Sequence, residues 1–252
     1  MKVLVTGANG MLGQDLCPIL EDFGFDSIET DCANLDITNK IIVNEVFETI
    51  KPDYAVHCAA YTNVDKAEED IATASLINVK GTENIARACA NIDIPIVYVS
   101  TDYIFDGTKQ TPYLITDTPN PINNYGLTKY QGEEMVKKLC NKYFITRTSW
   151  LYGHHGKNFV ETMIALKDKE VLKVVDDQIG CPTWTVELSN AIVSLLQTDN
   201  YGTYHTCGSG STSWYGFAKE IFDYLKLDVN LQPCTTSEFP RPAKRPQYSV
   251  ME

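Results

Sequence analysis

The chain has 252 residues, with 33 Asp and Glu against 21 Lys and Arg, and a formal net charge of −12. At about 100–200 residues per domain, that length is one large domain, or one with a small companion. Its 44% hydrophobic and 21% charged residues exclude a disordered or fibrous chain. The acidic balance, with no basic stripe, argues against nucleic acid as a partner.

A short apolar strand pattern at 2–6 is followed by helical periodicity over 10–23. The pair recurs as 26–30 with 40–50, 53–58 with 72–91, and 94–100 with 125–142, and a strand follows at 143–148. Buried-type strands alternating with helices predict the α/β class, a doubly wound parallel sheet over residues 1–150. Beyond Trp150 the pattern loosens to a helix at 158–166, a strand at 171–176, a helix at 186–197, a strand at 203–207 and a helix at 213–225. These pieces are too few for a second sheet domain, so residues 151–252 are expected to form a small lobe partly interleaved with the first. The tail, 239–252, carries Pro240, Pro242 and Pro246 among Arg241, Lys244 and Arg245 and reads as an irregular basic loop.

The N-terminus enters a strand without a basic segment and apolar stretch before it, and no apolar run approaches the ~20 residues of a membrane span. A cytoplasmic chain with no membrane partner is expected. The eight cysteines are scattered singly and never form Cys-x-x-Cys, so they read as reduced core residues, with no disulfide and no zinc.

Gly7, Gly10 and Gly13 are spaced G-x-x-G-x-x-G between the first strand and the first helix. Glycines there allow a tight turn and close approach to a pyrophosphate seated on the helix N-terminus, the pattern of a dinucleotide-binding Rossmann domain. Asp31 ends the second strand, where a carboxylate receives ribose hydroxyls and repels a 2′-phosphate; Cys32 follows it rather than a compensating Arg. NADH is therefore expected, with NADPH possible. Asp36 and Ile37 lie just beyond and flank the adenine in this reading. Small Ala59 and Ala60, before Tyr61 at the end of the third strand, leave room for the dinucleotide to lie flat. His57 reads as a buried strand histidine.

Tyr125 and Lys129 are four apart on a helix and share a face, so the ammonium is expected to favour the ionised phenol and bring it toward neutrality. Such a phenol passes a proton to a carbonyl oxygen being reduced. The hydroxyl pair Ser100-Thr101 at the end of the fourth strand completes the constellation.

Together these residues resemble the extended short-chain dehydrogenase/reductase family. The match extends through Val99-Ser100-Thr101-Asp102-Tyr103-Ile104-Phe105-Asp106-Gly107, Arg147-Thr148-Ser149-Trp150-Leu151-Tyr152-Gly153, Asn158-Phe159-Val160, Asp177-Gln178-Ile179-Gly180-Cys181-Pro182-Thr183 and Arg241-Pro242, and so covers essentially the whole chain. It is nearest the branch that reduces dTDP-4-dehydro-L-rhamnose to dTDP-L-rhamnose. The resemblance implies that Thr101 hydrogen-bonds the substrate carbonyl, Tyr125 protonates its oxygen, and Lys129 holds the nicotinamide ribose. It further implies pyrophosphate contacts at Gly10, Met11 and Leu12, a substrate contact at Asp102, an aromatic wall at Trp150, and diphosphate binding by Asn158 and Arg241. Some relatives are magnesium-dependent dimers that use glutamates; Gln14-Asp15 stands here instead, and no metal is expected, in a monomer or homodimer.

Three alternatives stand beside this reading. A dehydratase would carry Asp-Glu after the Thr, where this chain has Asp102-Tyr103, and an epimerase usually has a longer substrate domain. A non-catalytic regulator resembling the β subunit of methionine adenosyltransferase would retain much of the same motif set. Relatives usually continue past an Arg-Pro-x-x-Ser-type tail into one or two more helices. A C-terminal truncation or shortened variant is therefore expected, with the Arg241 loop less firmly held.

Overall fold

The computed structural model describes residues 1–252. The first part runs β1 (Lys2–Thr6), α1 (Met11–Asp22), β2 (Asp26–Thr30), α2 (Lys40–Ile50), β3 (Tyr54–His57), α3 (Lys66–Glu69), α4 (Ile71–Ser75), a π-helical turn (Leu76–Gly81) and α5 (Thr82–Asn91). It continues through β4 (Ile96–Thr101), α6 (Asn124–Leu139) and β5 (Tyr143–Thr148). The remainder comprises β6 (Leu151–Tyr152), α7 (Phe159–Ala165), β7 (Leu172–Val175), β8 (Ile179–Gly180), β9 (Thr183–Trp184) and α8 (Thr185–Leu196), then β10 (Gly202–His205), β11 (Thr212–Ser213), α9 (Trp214–Leu225) and β12 (Leu231–Cys234). No helix is long and apolar enough to cross a membrane.

Six strands form one parallel sheet in the order β10-β5-β4-β3-β1-β2. Side chains alternate between its two faces. Val3 and Val5 of β1 join α1 and α8 in one core cluster, whereas Leu4 joins α2, α5 and α6 in the other. Both faces are thus covered, and the doubly wound parallel sheet expected from strand–helix alternation is the observed fold. The order reverses between β1 and β3, which places the ligand crevice at their C-terminal ends.

Three departures from the sequence reading have local causes. The single helix expected over 72–91 begins earlier and is interrupted: Asp70 caps α4 by accepting from Thr73 N at 3.0 Å, and a π-helical turn precedes α5. The sixth strand of the sheet, β10, comes from the second half of the chain, while the helix before it, α8, packs on α1. The parallel pair β7–β12 escaped notice because Leu231-Gln232-Pro233-Cys234 is short, mostly polar and carries a proline.

A separate core of Met163, Leu172, Val174, Ala218, Ile221 and Phe222 holds α7, β7 and α9 together. The basic tail is irregular, but it is anchored. Ser249 N donates to Ile179 O and Tyr113 N to Val250 O, both at 2.8 Å, and Met251 packs with Ile104, Phe105 and Tyr113.

Candidate active site

The glycine turn leads from β1 into α1. Gly7 has φ +69°, and a Cβ there would stand 2.8 Å from the backbone nitrogen of Ala59; a Cβ on Gly13 would stand 2.5 Å from Ala8 Cα. The turn is therefore pressed against the end of β3, and the helix against the turn. Gly10 caps α1 with no side-chain hydrogen bond, so the first amides of the helix are left for an anion.

A cavity of about 770 Å³ opens from this turn. Of the residues expected around a dinucleotide, Gly7, Gly10, Met11, Leu12, Asp31, Asp36, Ile37, Ala59, Ala60, Tyr125 and Lys129 line it. Gly13 and Tyr61 do not. Gly13 serves close packing on Ala8, and Tyr61 is held through its backbone, donating to Asn78 Oδ1 at 2.7 Å and accepting from Asn78 Nδ2 at 3.1 Å. Asp31 accepts from the Asn9 side chain and from Ala33 N, beside exposed Cys32. The volume, the glycine cradle and the free helix amides fit a dinucleotide.

At the other end of the cavity stand Thr101, Asp102, Tyr125, Lys129, Thr148 and Trp150. Thr101 ends β4, and its hydroxyl donates to Asp102 Oδ1 at 3.1 Å. Tyr125 lies in the first turn of α6, whose cap Asn123 accepts from Gly126 N at 2.7 Å. The Lys129 ammonium sits 4.2 Å from the centre of the Tyr98 ring.

The electrostatics correct one expectation. Burial pushes the Tyr125 phenol up to about 12, the Asp102 charge adding to the rise and the neighbouring Thr101 hydroxyl opposing it, and no lowering by Lys129 offsets it. Burial also pulls Lys129 down to about 7, although Glu133 and Cys58 favour its charge. The helical spacing was right, but removal from water outweighs the mutual influence of the pair. The phenol therefore keeps its proton. His57, buried between the hydroxyls of Thr6 and Thr82, is driven down to about 3 by burial and Lys129.

Asp102 and Thr148 line the cavity, and their Oδ2 and Oγ1 atoms are buried without a hydrogen-bond partner in the protein. Burial raises the Asp102 carboxyl to about 6.

A second cavity of about 780 Å³ lies in the second half of the chain. It adjoins the first through two aromatic contacts: Tyr103 meets Tyr125 edge-on at 5.7 Å, and Trp214 stacks on Trp150 at 3.5 Å and 5°. Tyr103, Phe159 and Trp214 line it together with five cations, Lys169, Lys173, Arg241, Lys244 and Arg245, and no carboxylate. Arg241 lies 3.6 Å from Asp65 and over the Phe239 ring, and Arg245 pairs with the same Asp65 at 2.5 Å. Asn158 lines neither cavity: it accepts from Glu161 N at the start of α7 and donates to Gly153 O, so its side chain is occupied by capping.

Several functional elements were not foreseen. Glu133 and Arg147, both buried, form a bidentate pair at 3.0 and 2.8 Å, and Ser100 donates to Glu133 Oε1 at 2.6 Å. The pair ties the ends of β4 and β5 to α6, which carry Thr101, Thr148, Tyr125 and Lys129. Glu133 falls four residues after Lys129, a spacing that could have flagged it. Asn78 links the loop after β3 to α6 by donating to Thr128 Oγ1 at 3.1 Å, and nothing in local sequence signals that role.

This fold and this site define an NAD(P)-dependent oxidoreductase of the extended short-chain dehydrogenase/reductase type. All of residues 1–252 match the family described as the RmlD substrate binding domain. The dTDP-4-dehydrorhamnose reductase of Aggregatibacter actinomycetemcomitans is 38% identical over 265 residues, covering 100% of this chain and 90% of that protein. The crystal structure of a dTDP-4-dehydrorhamnose reductase from Clostridium acetobutylicum superposes with a TM-score of 0.98 at 49% identity, again over 100% and 90% of the two chains. One from Bacillus anthracis, in complex with NADP, gives 0.98 at 47% with the same coverage. The chain belongs to the RmlD family, among whose members are these dTDP-4-dehydrorhamnose reductases.

Proposed function

We propose that the protein reduces the 4-keto group of dTDP-4-dehydro-L-rhamnose with NAD(P)H, giving dTDP-L-rhamnose. The observation that carries this reading is the meeting of two cavities at Tyr125, one built on a glycine turn and the other cationic and aromatic. In a chain of net charge −12, five cations line one cavity; Asp65 pairs with Arg245 and lies 3.6 Å from Arg241, and Glu238 lies 3.9 Å from Lys173, which leaves a net positive local site for an anion such as a nucleoside diphosphate. Tyr103, Phe159 and Trp214 supply surfaces for an apolar or aromatic part of the same ligand. In this arrangement residues 1–150 carry the cofactor and 151–252 most of the substrate.

NAD(P)H supplies a hydride to the carbonyl carbon. Tyr125 gives its phenolic proton to the carbonyl oxygen, so that hydride and proton together convert the ketone to an alcohol. Thr101 holds that oxygen at the phenol, and Lys129 fixes the nicotinamide ribose. Asp102 and Thr148, which line the cavity beside Tyr125, are the polar side chains that face the sugar. The indole of Trp150, fixed by its stack on Trp214, forms a flat wall beside the sugar. Asp31 accepts the adenosine ribose hydroxyls and, with Cys32 beside it, tilts the site toward NADH; the NADP complex of the Bacillus anthracis relative is a reason to assay both cofactors.

The test is oxidation of NADH or NADPH by purified protein with dTDP-4-dehydro-L-rhamnose, with the sugar product identified by NMR. Tyr125→Phe should lower kcat by roughly 10²–10⁴ and leave cofactor affinity unchanged. No turnover by the wild type, or full turnover by Tyr125→Phe, would overturn the proposal.

A further inference from the structure

The loop between β6 and α7 crosses from the second half of the chain to the glycine turn. Gly156 and Lys157 line the first cavity with Asn9, Gly10, Met11 and Leu12. A Cβ on Gly156, whose φ is +68°, would stand 3.6 Å from Met11 Cβ. The loop is fixed from three sides. Asn158 Nδ2 donates to Gly153 O at 2.9 Å; buried Asp15 of α1 accepts from the Thr185 hydroxyl and lies 3.5 Å from His155 Nε2. A Cβ on Gly153 would stand 2.2 Å from Thr185 Oγ1, so the loop backbone rests directly on this anchor.

Charge gives that position its meaning. Lys129 and Lys157 are the only cations on the cavity wall, against Asp31, Asp36 and Asp102. Lys129 is buried at the Tyr125 end, over the Tyr98 ring. The glycine-turn end therefore has only the partial positive charge of the α1 N-terminus, about half a unit, and Lys157 to meet a ligand carrying two negative charges. We propose that Lys157 is a ligand of the cofactor pyrophosphate, delivered across the glycine turn by the loop that Asp15, Thr185 and Asn158 hold in place. This rests on the NAD(P)H reading above and adds to it a contact from outside the Rossmann half.

The test is equilibrium binding of NADH, ADP and adenosine to the whole protein, followed by titration calorimetry and, for NADH, by its fluorescence. Lys157→Ala should weaken NADH and ADP by roughly three- to tenfold at low salt, with the gap narrowing as salt screens the contact, and leave adenosine unchanged. Lys157→Arg should retain most of the affinity. Lys138→Ala, which removes the same charge from the exposed side of α6, should bind as the wild type does. If the wild type binds NADH and Lys157→Ala binds it equally well, or loses adenosine in the same proportion, the assignment is wrong. If the wild type binds no dinucleotide, the cofactor reading itself fails.

Discussion

Asp102 offers a measurement in which the active site reports on itself through stability. Its carboxyl is 2% exposed; Oδ1 accepts from Thr101, and Oδ2 has no partner in the protein. Burial raises it from an ordinary 3.8 to about 6. The folded protein then holds this proton to higher pH than the unfolded chain, so the group stabilises the fold below its unfolded value. That contribution is lost as pH rises from 3.8 through about 6. At about 1.36 kcal/mol per pH unit, the full cost of ionising Asp102 in the folded state is about 3 kcal/mol, most of which, about 2 kcal/mol, develops between pH 4 and pH 7. Asp102→Asn removes the titration and keeps the shape. Its stability relative to the wild type should therefore rise by about 2 kcal/mol from pH 4 to pH 7 in urea melts, or roughly 4–8 °C in Tm for a chain of this size. Comparing the two pH values cancels any fixed cost of the amide and every other carboxylate common to both proteins. A difference that stays flat across that range would show that Asp102 titrates as a solvated carboxylate, and the argument for a desolvated pocket would fall with it.

Glu133→Ala should cost about 3–5 kcal/mol, because it leaves the Arg147 guanidinium buried at 2% exposure without its carboxylate. Glu133→Leu with Arg147→Met should recover much of that loss in a thermal melt; equal destabilisation of both proteins would locate the cost in packing rather than charge. Asp31→Asn should raise kcat/KM for NADPH relative to NADH by roughly tenfold, since it removes the repulsion of a 2′-phosphate at a site where Asn9 already donates to the carboxylate. An unchanged cofactor ratio would mean that Asp31 does not face the adenosine ribose.

Features built from neighbours in sequence are legible in the sequence alone. The glycine turn is read from residues 7–13, and it lands where strand order reverses because the strand–helix alternation around it dictates that topology. Tyr125 and Lys129 were readable from one helical turn. What their titration does was not, because burial is set by β3, β4 and the π-helical turn packed against α6, none of which the spacing reveals. Asn158 shows the opposite failure. As a polar residue in a recognisable segment it looked free for a ligand, whereas helix capping had already claimed its side chain. The second cavity draws Tyr103, Phe159, Trp214 and Arg241 from segments more than fifty residues apart at the extremes, so no window along the chain could have contained it.

The net charge takes on a more definite meaning once the cavities are placed. Of 21 Lys and Arg, five line the second cavity and two the first, which is one third of all cations in a chain whose balance is −12. The rest of the surface is correspondingly more acidic and repels an approaching anion at distances within a Debye length. An anionic ligand is therefore favoured only where cations converge. They converge on the second cavity, which adjoins the first through the Tyr103–Tyr125 and Trp214–Trp150 contacts; the first, with Lys129 and Lys157 against Asp31, Asp36 and Asp102, relies on the α1 N-terminus as well. In the proposed reaction the cofactor on the glycine turn and the nucleotide sugar among the tail cations would reach the same phenol from opposite sides. That convergence, rather than either cavity alone, is what the acidic composition and the clustered cations produce together.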